Sequence, residues 1–165
     1  SMAQQDGDLA KAKAWYRSAA DANNANAMND LGALASQAGD HAAARHWYEK
    51  AASLGEATAM QNLGLMAHEG GDRTSARRWL VRAAERDHAG AMYDLGVLAG
   101  EDGDPHAAKN WFLRAVALGH PGAAYNLGAM AYADGAVDEA CKWLSRAREL
   151  GHPQAIQTSR MLGCL

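Results

Sequence analysis

Apolar side chains recur along this chain at the spacing of amphipathic helices. Within residues 25–38 the apolar positions, Met28 and Leu31 among them, follow the i, i+3/i+4, i+7 spacing of one helix face. Within residues 41–54 a second apolar face includes Ala44 and Trp47. The pattern therefore predicts two consecutive amphipathic helices, called here the first and the second helix of a pair.

Turn residues separate the two predicted helices. Gly39 occupies the position where a helix end adopts the left-handed conformation, which glycine reaches at little cost. Asp40 follows and is predicted to cap the second helix by accepting a backbone N–H bond. Gly55 ends the second helix in the same way, and Pro121 lies in the first turn of a later helix, where a missing N–H is harmless. The segment is therefore predicted to be an antiparallel helix pair.

The pair repeats every 32 residues without an insertion. Five tryptophans mark the second helices: Trp15, Trp47, Trp79, Trp111 and Trp143. Four Leu-Gly pairs mark the first helices: Leu31-Gly32, Leu63-Gly64, Leu95-Gly96 and Leu127-Gly128. A fixed period of this length predicts a solenoid of stacked helix pairs.

The glycine of each Leu-Gly pair lies inside a predicted helix, where it costs about 1 kcal/mol relative to alanine. A cost that recurs in every repeat needs a cause that recurs as well. We expect close helix packing, in which Gly32 leaves room for the bulky Trp and Tyr side chains of a neighbouring helix. The tryptophan column is accordingly predicted to pack in the core, and a cofactor-stacking role has little support.

The repeat register predicts how the chain is divided. Residues 1–5 are expected to be expression-tag residues and the stump of a truncated helix, and residues 6–165 a single repeat domain. That domain would contain an unpaired second helix at 6–23, complete repeats at 25–55, 57–87, 89–119 and 121–151, and a closing helix at 153–165. The unpaired helix would expose Leu9, Trp15 and Tyr16, so self-association is one alternative.

Composition excludes several classes of protein. With 7% aromatic residues and one Phe, a strand-rich sandwich is not expected, and a formal net charge of -3 argues against a nucleic-acid binder. No run of 18 apolar residues is present to span a membrane. Two cysteines, Cys141 and Cys164, cannot supply a disulfide framework. The lack of a cysteine column favours a reducing compartment, and we expect a cytoplasmic location.

No constellation of catalytic residues is evident. His88, His120 and His152 occupy one repeat position, so their spacing, on the order of 10 Å, is too large for one metal ion. Capping and turn packing explain this column better. There is also no glycine-rich phosphate loop and no nucleophile with a matched base. We therefore expect no metal, no cofactor and no enzymatic activity.

Two related families share these columns. Leu31-Gly32, Gly39-Asp40, Ala44, Tyr48 and Ala51 resemble the tetratricopeptide repeat (TPR), whereas residues 47–52 and 118–128 resemble the Sel-one-like repeat (SLR). The period of 32 is shorter than in either family. The resemblance implies an all-α, right-handed TPR/SLR-like α-solenoid of stacked antiparallel helix pairs, with about ten helices. It also implies a non-catalytic scaffold that binds protein segments on a concave face lined by first helices.

The resemblance places eleven residues in that groove: Asn29, Asp30, Gln61, Asn62, Glu69, Tyr93, Asp94, Glu101, Tyr125, Asn126 and Tyr132. An amide both donates and accepts hydrogen bonds, so the Asn side chains could bind the backbone of a peptide. Alternatively, these polar groups cap helices or bond to the neighbouring helix. The sequence leaves both interpretations open.

Charge differs between the two kinds of helix. Of 16 Lys and Arg residues, only Arg160 belongs to a predicted first helix. The groove should therefore be acidic to neutral, which argues against capture of a C-terminal carboxylate. A protein or peptide partner with basic residues or apolar anchors fits better. A regulatory domain cut from a larger enzyme, such as a kinase or peptidase, is the other alternative.

Overall fold

All regular secondary structure in the described part of the chain is α-helical. The computed structural model describes residues 14–164, and within them ten helices and no β-strand are found. Helix α1 covers residues 14–21. The others are α2 (Ala25–Gln37), α3 (His41–Ser53), α4 (Ala57–Glu69), α5 (Arg73–Ala84), α6 (Ala89–Glu101), α7 (Pro105–Ala117), α8 (Pro121–Ala133), α9 (Val137–Glu149) and α10 (Ala155–Met161). The predicted all-α fold of about ten helices is confirmed. The predicted stump at residues 1–5, and Leu9, lie outside the described residues.

Short turns join the two helices of each pair in the way the sequence predicts. Gly39 has φ +75°, and the Asp40 carboxylate accepts the Ala43 N–H at 2.9 Å. The same cap recurs at α7, where Asp104 accepts the Ala107 N–H at 2.9 Å. At α3 and α7 the turn therefore satisfies a backbone donor that the start of the helix would otherwise leave unpaired, whereas α9 begins after Ala136 without a side-chain cap.

The described part of the chain divides into two compact units, a first unit that ends at residue 83 and a second unit that begins at residue 84. In the first unit, Met60 and Leu63 of α4 are buried together with Leu80 of α5. In the second unit, Leu95 of α6 and Leu127 of α8 are buried. Each unit thus has a core made by the inner faces of its own helix pairs.

The mid-helix glycines mark where the two helices of a pair touch. A Cβ atom on Gly96 would lie 2.5 Å from a ring carbon of Phe112, and one on Gly32 would lie 2.5 Å from the Tyr48 ring. At Gly64 the contacting side chain is Leu80, at 2.7 Å. The predicted close packing is confirmed, because no real Cβ atom fits at these distances.

The partner of each glycine differs from the prediction in one respect. The buried side chain against each of these glycines is the residue after a tryptophan, not the tryptophan itself: Tyr48, Leu80, Phe112 and Leu144. Trp15 is 78% exposed, and the other four tryptophans are only half-buried. The prediction that the tryptophan column packs in the core is therefore wrong.

A basic side chain one turn further along the helix covers three of these tryptophans. The Lys50 ammonium lies 4.9 Å from the Trp47 ring centre, and the Arg82 and Arg114 guanidinium groups lie 4.4 and 4.5 Å from the rings of Trp79 and Trp111. Such cation–π contacts shield half-exposed rings from water. The tryptophans thus belong to the outer surface of the second helices.

Replacement of Gly96 by Ala tests the close contact. Because the added methyl group overlaps the Phe112 ring, we expect Gly96→Ala to lower the free energy of unfolding by about 1–3 kcal/mol. Gly100→Ala in the same helix is the matched control, since a Cβ there meets nothing within 4 Å. That variant should be more stable by about 0.5–1 kcal/mol, from helix propensity alone. Urea unfolding measures both, and equal stability of the two variants would contradict the packing described here.

Candidate functional site

The eleven candidate residues all lie on first helices. In the first unit they belong to α2 and α4, and in the second unit to α6 and α8. Glu69, Glu101 and Tyr132 are exposed, and the other eight are half-buried. The structure thus places every candidate at least partly within reach of solvent, although the surrounding contacts differ from one residue to the next.

In the first unit, two of the candidate amides bond to each other. The Asn62 Nδ2 group donates to Asn29 Oδ1 at 3.0 Å, which links α4 to α2 across one repeat. This bond supports the interpretation in which the polar column connects neighbouring first helices. A peptide that used the same two atoms would have to replace this bond.

In the second unit, two of the candidate tyrosines pack on histidines of the following repeat. Tyr93 stacks on His120 with ring centres 4.5 Å apart, and Tyr125 stacks on His152 at 4.3 Å. The Tyr125 hydroxyl also forms a 3.2 Å hydrogen bond with the Thr158 hydroxyl. These two rings therefore contribute to contacts between repeats. Tyr132 is 51% exposed, which leaves much of its ring surface open to a partner.

Those histidines begin the first helices. His88 Nδ1 accepts the Ala91 N–H, and His120 Nδ1 accepts the Ala123 N–H, both at 3.2 Å. The predicted capping role is thereby confirmed for these two. A ring nitrogen can accept a bond only while it carries no proton. Both caps therefore require that the Nδ1 atom of the histidine carries no proton.

The environment of two histidines favours that neutral form. Burial lowers the pKa of His120, and the neighbouring His152 and His88 lower it further by charge repulsion. Burial also lowers the pKa of His152. His152 does not cap a helix, because α10 begins only at Ala155, whose N–H donates to the His152 carbonyl. Its Nδ1 atom is buried without a hydrogen-bond partner.

Two apolar cavities lie on either side of Ala129 in the second unit. The α6–α8 cavity has a volume of about 360 Å³, and Phe112, Asn126 and Met130 contribute to its wall. The α8–α10 cavity has a volume of about 290 Å³ and is lined by Tyr125, Gly128, Ala129, Tyr132, Leu144, Thr158, Met161 and Leu162. The structure therefore gathers Tyr125, Asn126 and Tyr132 around recesses that can accept apolar side chains.

Some of the lining residues are not among the candidates read from the sequence. Met130 and Leu144 complete the cavity walls, although their spacing marks them as ordinary apolar positions. The signal that could have pointed to the recesses is the run of small residues on the first helices, Gly100 and Ala129 included. Small side chains leave space that the larger residues around them do not fill.

The structure shows neither a metal cluster nor a membrane span in the part of the chain it describes. Among residues 14–164, no group of three or more His, Cys, Asp and Glu side chains is arranged to hold a metal ion. None of the described helices is long and apolar enough to cross a membrane.

Comparison of the sequence with protein families identifies the repeat. The tetratricopeptide repeat matches residues 24–58, and the Sel1 repeat matches residues 3–24, 57–88, 89–120 and 121–152. The Sel1 matches together cover well over half of the chain. The chain belongs to the Sel1 repeat family.

Solved structures with the same fold include other Sel1 repeat proteins. A Sel1 repeat protein from Oxalobacter formigenes is 27% identical with a TM-score of 0.76, over 88% of this chain and 64% of that one. A protective antigen present in uropathogenic Escherichia coli strains, which displays an SLR fold, is 25% identical with a TM-score of 0.72, over 87% of this chain and 34% of that one. The present chain thus spans about a third of one relative and just under two thirds of the other.

A more distant structure shares the fold alone. YrrB, a TPR protein with an unusual peptide-binding site, is 22% identical with a TM-score of 0.59, over 96% of this chain and 87% of that one. None of the curated protein sequences compared with the chain matches it significantly.

This Sel1 repeat chain contains a disulfide bond that the sequence did not predict. Cys141 of α9 is bonded to Cys164, which follows α10, and their Cα atoms are 5.3 Å apart. One bond is not a framework with a cysteine pair in every repeat. It nevertheless weakens the prediction of a reducing compartment, because that prediction rested on the lack of a cysteine column and did not consider a bond between these two cysteines.

The bond between Asn62 and Asn29 can be tested by its effect on stability. We expect Asn62→Ala to lower the free energy of unfolding by about 1 kcal/mol, the usual value of one intramolecular hydrogen bond. Asn126→Ala is the matched variant at the same repeat position, and it removes a side chain that lines a cavity. Thermal unfolding should show a clear loss only for the first; equal losses would count against the inter-helix role of Asn62.

The lowered pKa values of two histidines predict how stability depends on pH. Because folding lowers the pKa of His120 and His152, the unfolded chain binds more protons than the folded chain just below the ordinary value of 6.5. Their contribution to stability is therefore complete above about pH 6.5 and is lost as the pH falls below it. His120→Asn retains a capping acceptor that does not titrate in this range. In urea unfolding between pH 7.5 and 5, the free energy of unfolding of this variant should therefore change less steeply with pH than that of the unaltered protein. An unchanged slope would contradict the role given to His120.

Proposed function

We propose that this Sel1 repeat chain is a non-catalytic scaffold whose first helices bind a segment of a partner protein. Sel1 and tetratricopeptide repeats generally mediate protein–protein interaction. We further propose that the partner segment binds beside α8 and inserts apolar side chains there. The main support is the pair of apolar cavities around α8.

The shape of this region suits side chains of a peptide better than a large cofactor. Both cavities are open recesses with mostly apolar walls, and Ala129 contributes to each. Asn126 adds an amide at one recess, and the exposed Tyr132 adds an aromatic edge at the other. Apolar anchors set between a few polar groups are the usual design of a peptide-binding surface.

The charge of the first helices indicates the character of the partner. Asp30 and Glu69 lie on first helices of the first unit, and Asp94 and Glu101 on α6 of the second unit, whereas α2, α4, α6 and α8 contain no Lys or Arg. A basic segment would be attracted to such a surface, and an acidic tail would be repelled. We therefore propose a partner segment with Lys or Arg residues and one or more apolar anchors.

Two further possibilities have more limited support. Trp15 of α1 is 78% exposed, which favours self-association as a second proposal. The chain spans only part of its structural relatives, so a role as the regulatory or targeting domain of a larger enzyme is also a proposal. A cytoplasmic location stays a prediction.

The binding face is tested by reversing its charge. A variant with Asp94→Lys and Glu101→Lys, both on α6, should bind the partner recovered by pull-down from the source cells at least about tenfold more weakly, because it repels a basic segment. Isothermal titration calorimetry measures the affinity, and circular dichroism checks that the variant is folded.

A matched control changes the same charge elsewhere. Glu85→Lys and Asp138→Lys, also in the second unit, lie next to or in second helices, and both side chains are exposed. This control should keep the affinity of the unaltered protein. Loss of binding in the control alone, or equal affinity of both variants, would contradict the proposed face.

A further inference from the structure

We propose that the Cys141–Cys164 disulfide is a redox-controlled clamp, which holds α10 in place and so completes the α8–α10 cavity. This inference concerns the regulation of the face described above, and its consequence for binding rests on the proposed function. The bond, the helix and the cavity all belong to the second unit.

Helix α10 has few other means of staying in position. It has seven residues and no side-chain hydrogen bond at its N-cap. Helices this short are not stable by themselves, so α10 depends on what it packs against. Only Ala155 and Ser159 are buried in it, while Ile156 is 45% and Met161 78% exposed. A covalent tether at its far end therefore has a large share in holding it.

The chain after α10 is shaped to bring Cys164 back to α9. Gly163 has φ +71°, and the Cys164 N–H donates to the Ser159 carbonyl at 2.9 Å. This turn reverses the backbone at the end of the helix, as glycine allows. The Cα atoms of the two cysteines then lie 5.3 Å apart, within the range that disulfides require.

The clamp fixes one wall of the cavity. Thr158, Met161 and Leu162 come from α10 or its C-cap, and Leu144 lies on α9 one turn beyond Cys141. The Thr158 hydroxyl also bonds to the Tyr125 hydroxyl across the cavity. If α10 moves away, the cavity loses this wall and the Tyr125 hydroxyl loses its hydrogen bond with Thr158.

The redox step is ordinary thiol–disulfide exchange with a dithiol. A thiolate of the dithiol attacks one cysteine sulfur, the Cys141–Cys164 bond breaks, and a mixed disulfide forms. The second thiol of the dithiol then displaces the remaining cysteine, so the protein gains two electrons and two protons and the dithiol becomes a disulfide. Both cysteines are half-buried rather than enclosed, which leaves them accessible to such a reagent. Oxidation by a disulfide reverses the step.

The two redox states should therefore differ locally. In the oxidised state α10 is in place and the cavity can accept an apolar side chain. In the reduced state α10 is released, and the cavity is open on one side. The oxidised chain is the binding-competent form.

Hydrogen exchange measured by mass spectrometry tests the clamp without any partner. The full chain is compared before and after treatment with dithiothreitol, and thiols are counted by alkylation. We expect no free thiol before reduction and two after it. Amides of residues 155–163 should then exchange at least about tenfold faster, whereas those of α6 and α7 keep their rates.

The double variant Cys141→Ser, Cys164→Ser separates loss of the bond from other effects of the reagent. Its α10 amides should exchange at the reduced rate with or without dithiothreitol. Two free thiols before reduction, unchanged exchange in α10 after it, or an equal increase throughout the second unit would each overturn the proposal. Because no partner takes part, this outcome is independent of the charge-reversal experiment.

Discussion

The contact between a glycine inside each of the helices α2, α4, α6 and α8 and a large side chain on the following second helix is the constraint on which the rest of this structure depends. At Gly32 and Gly96 a methyl group would lie 2.5 Å from an aromatic ring, so the two helix backbones approach as closely as the ring allows. Each glycine costs about 1 kcal/mol of helix propensity. Burial of the Phe112 side chain stabilises its pair by about 1.5–3 kcal/mol, which exceeds that cost.

Because one side of each first helix is occupied by this contact, its other positions are left for contacts between repeats and for a partner. Asn62 bonds to Asn29, and Tyr125 stacks on His152, so part of the polar and aromatic surface serves the stacking of repeats. Tyr132, which is exposed, and Asn126 remain beside the cavities. The proposed binding surface is thus the part of the first helices that the packing of repeats does not use.

Much of the fold could be predicted because its signals are local. Gly39 and Asp40 mark a helix end and the next cap, and the 3.6-residue period marks the buried face of each helix. The position of the tryptophans could not be read in this way. Trp47 and Tyr48 are adjacent, so they lie about 100° apart on α3, and both border the apolar face. Tryptophan recurs at the same position in every repeat, which suggested that this position lies in the core. The buried position is instead the next one, where the residue varies and both Tyr48 and Leu80 fit against a glycine.

The bounds of α10 and the disulfide bond after it could not be predicted from the sequence. The register predicts a closing helix from residue 153, but α10 begins at Ala155 and ends at Met161. Whether Cys164 reaches Cys141 depends on that shorter length and on the turn at Gly163. Neither follows from the spacing of 23 residues between the two cysteines. The cavities likewise arise from the joint positions of three helices, which no single motif encodes.

The central claim, that the first helices bind a partner protein, is tested most directly by site-specific photocrosslinking in the source cells. A photoreactive phenylalanine analogue replaces Tyr132 on α8 in one variant and Leu113, an exposed residue on α7, in the other. After irradiation, the account predicts a crosslinked partner protein from position 132 and none from position 113. Crosslinks from position 113 alone would show that the partner binds the second helices, and would contradict the account.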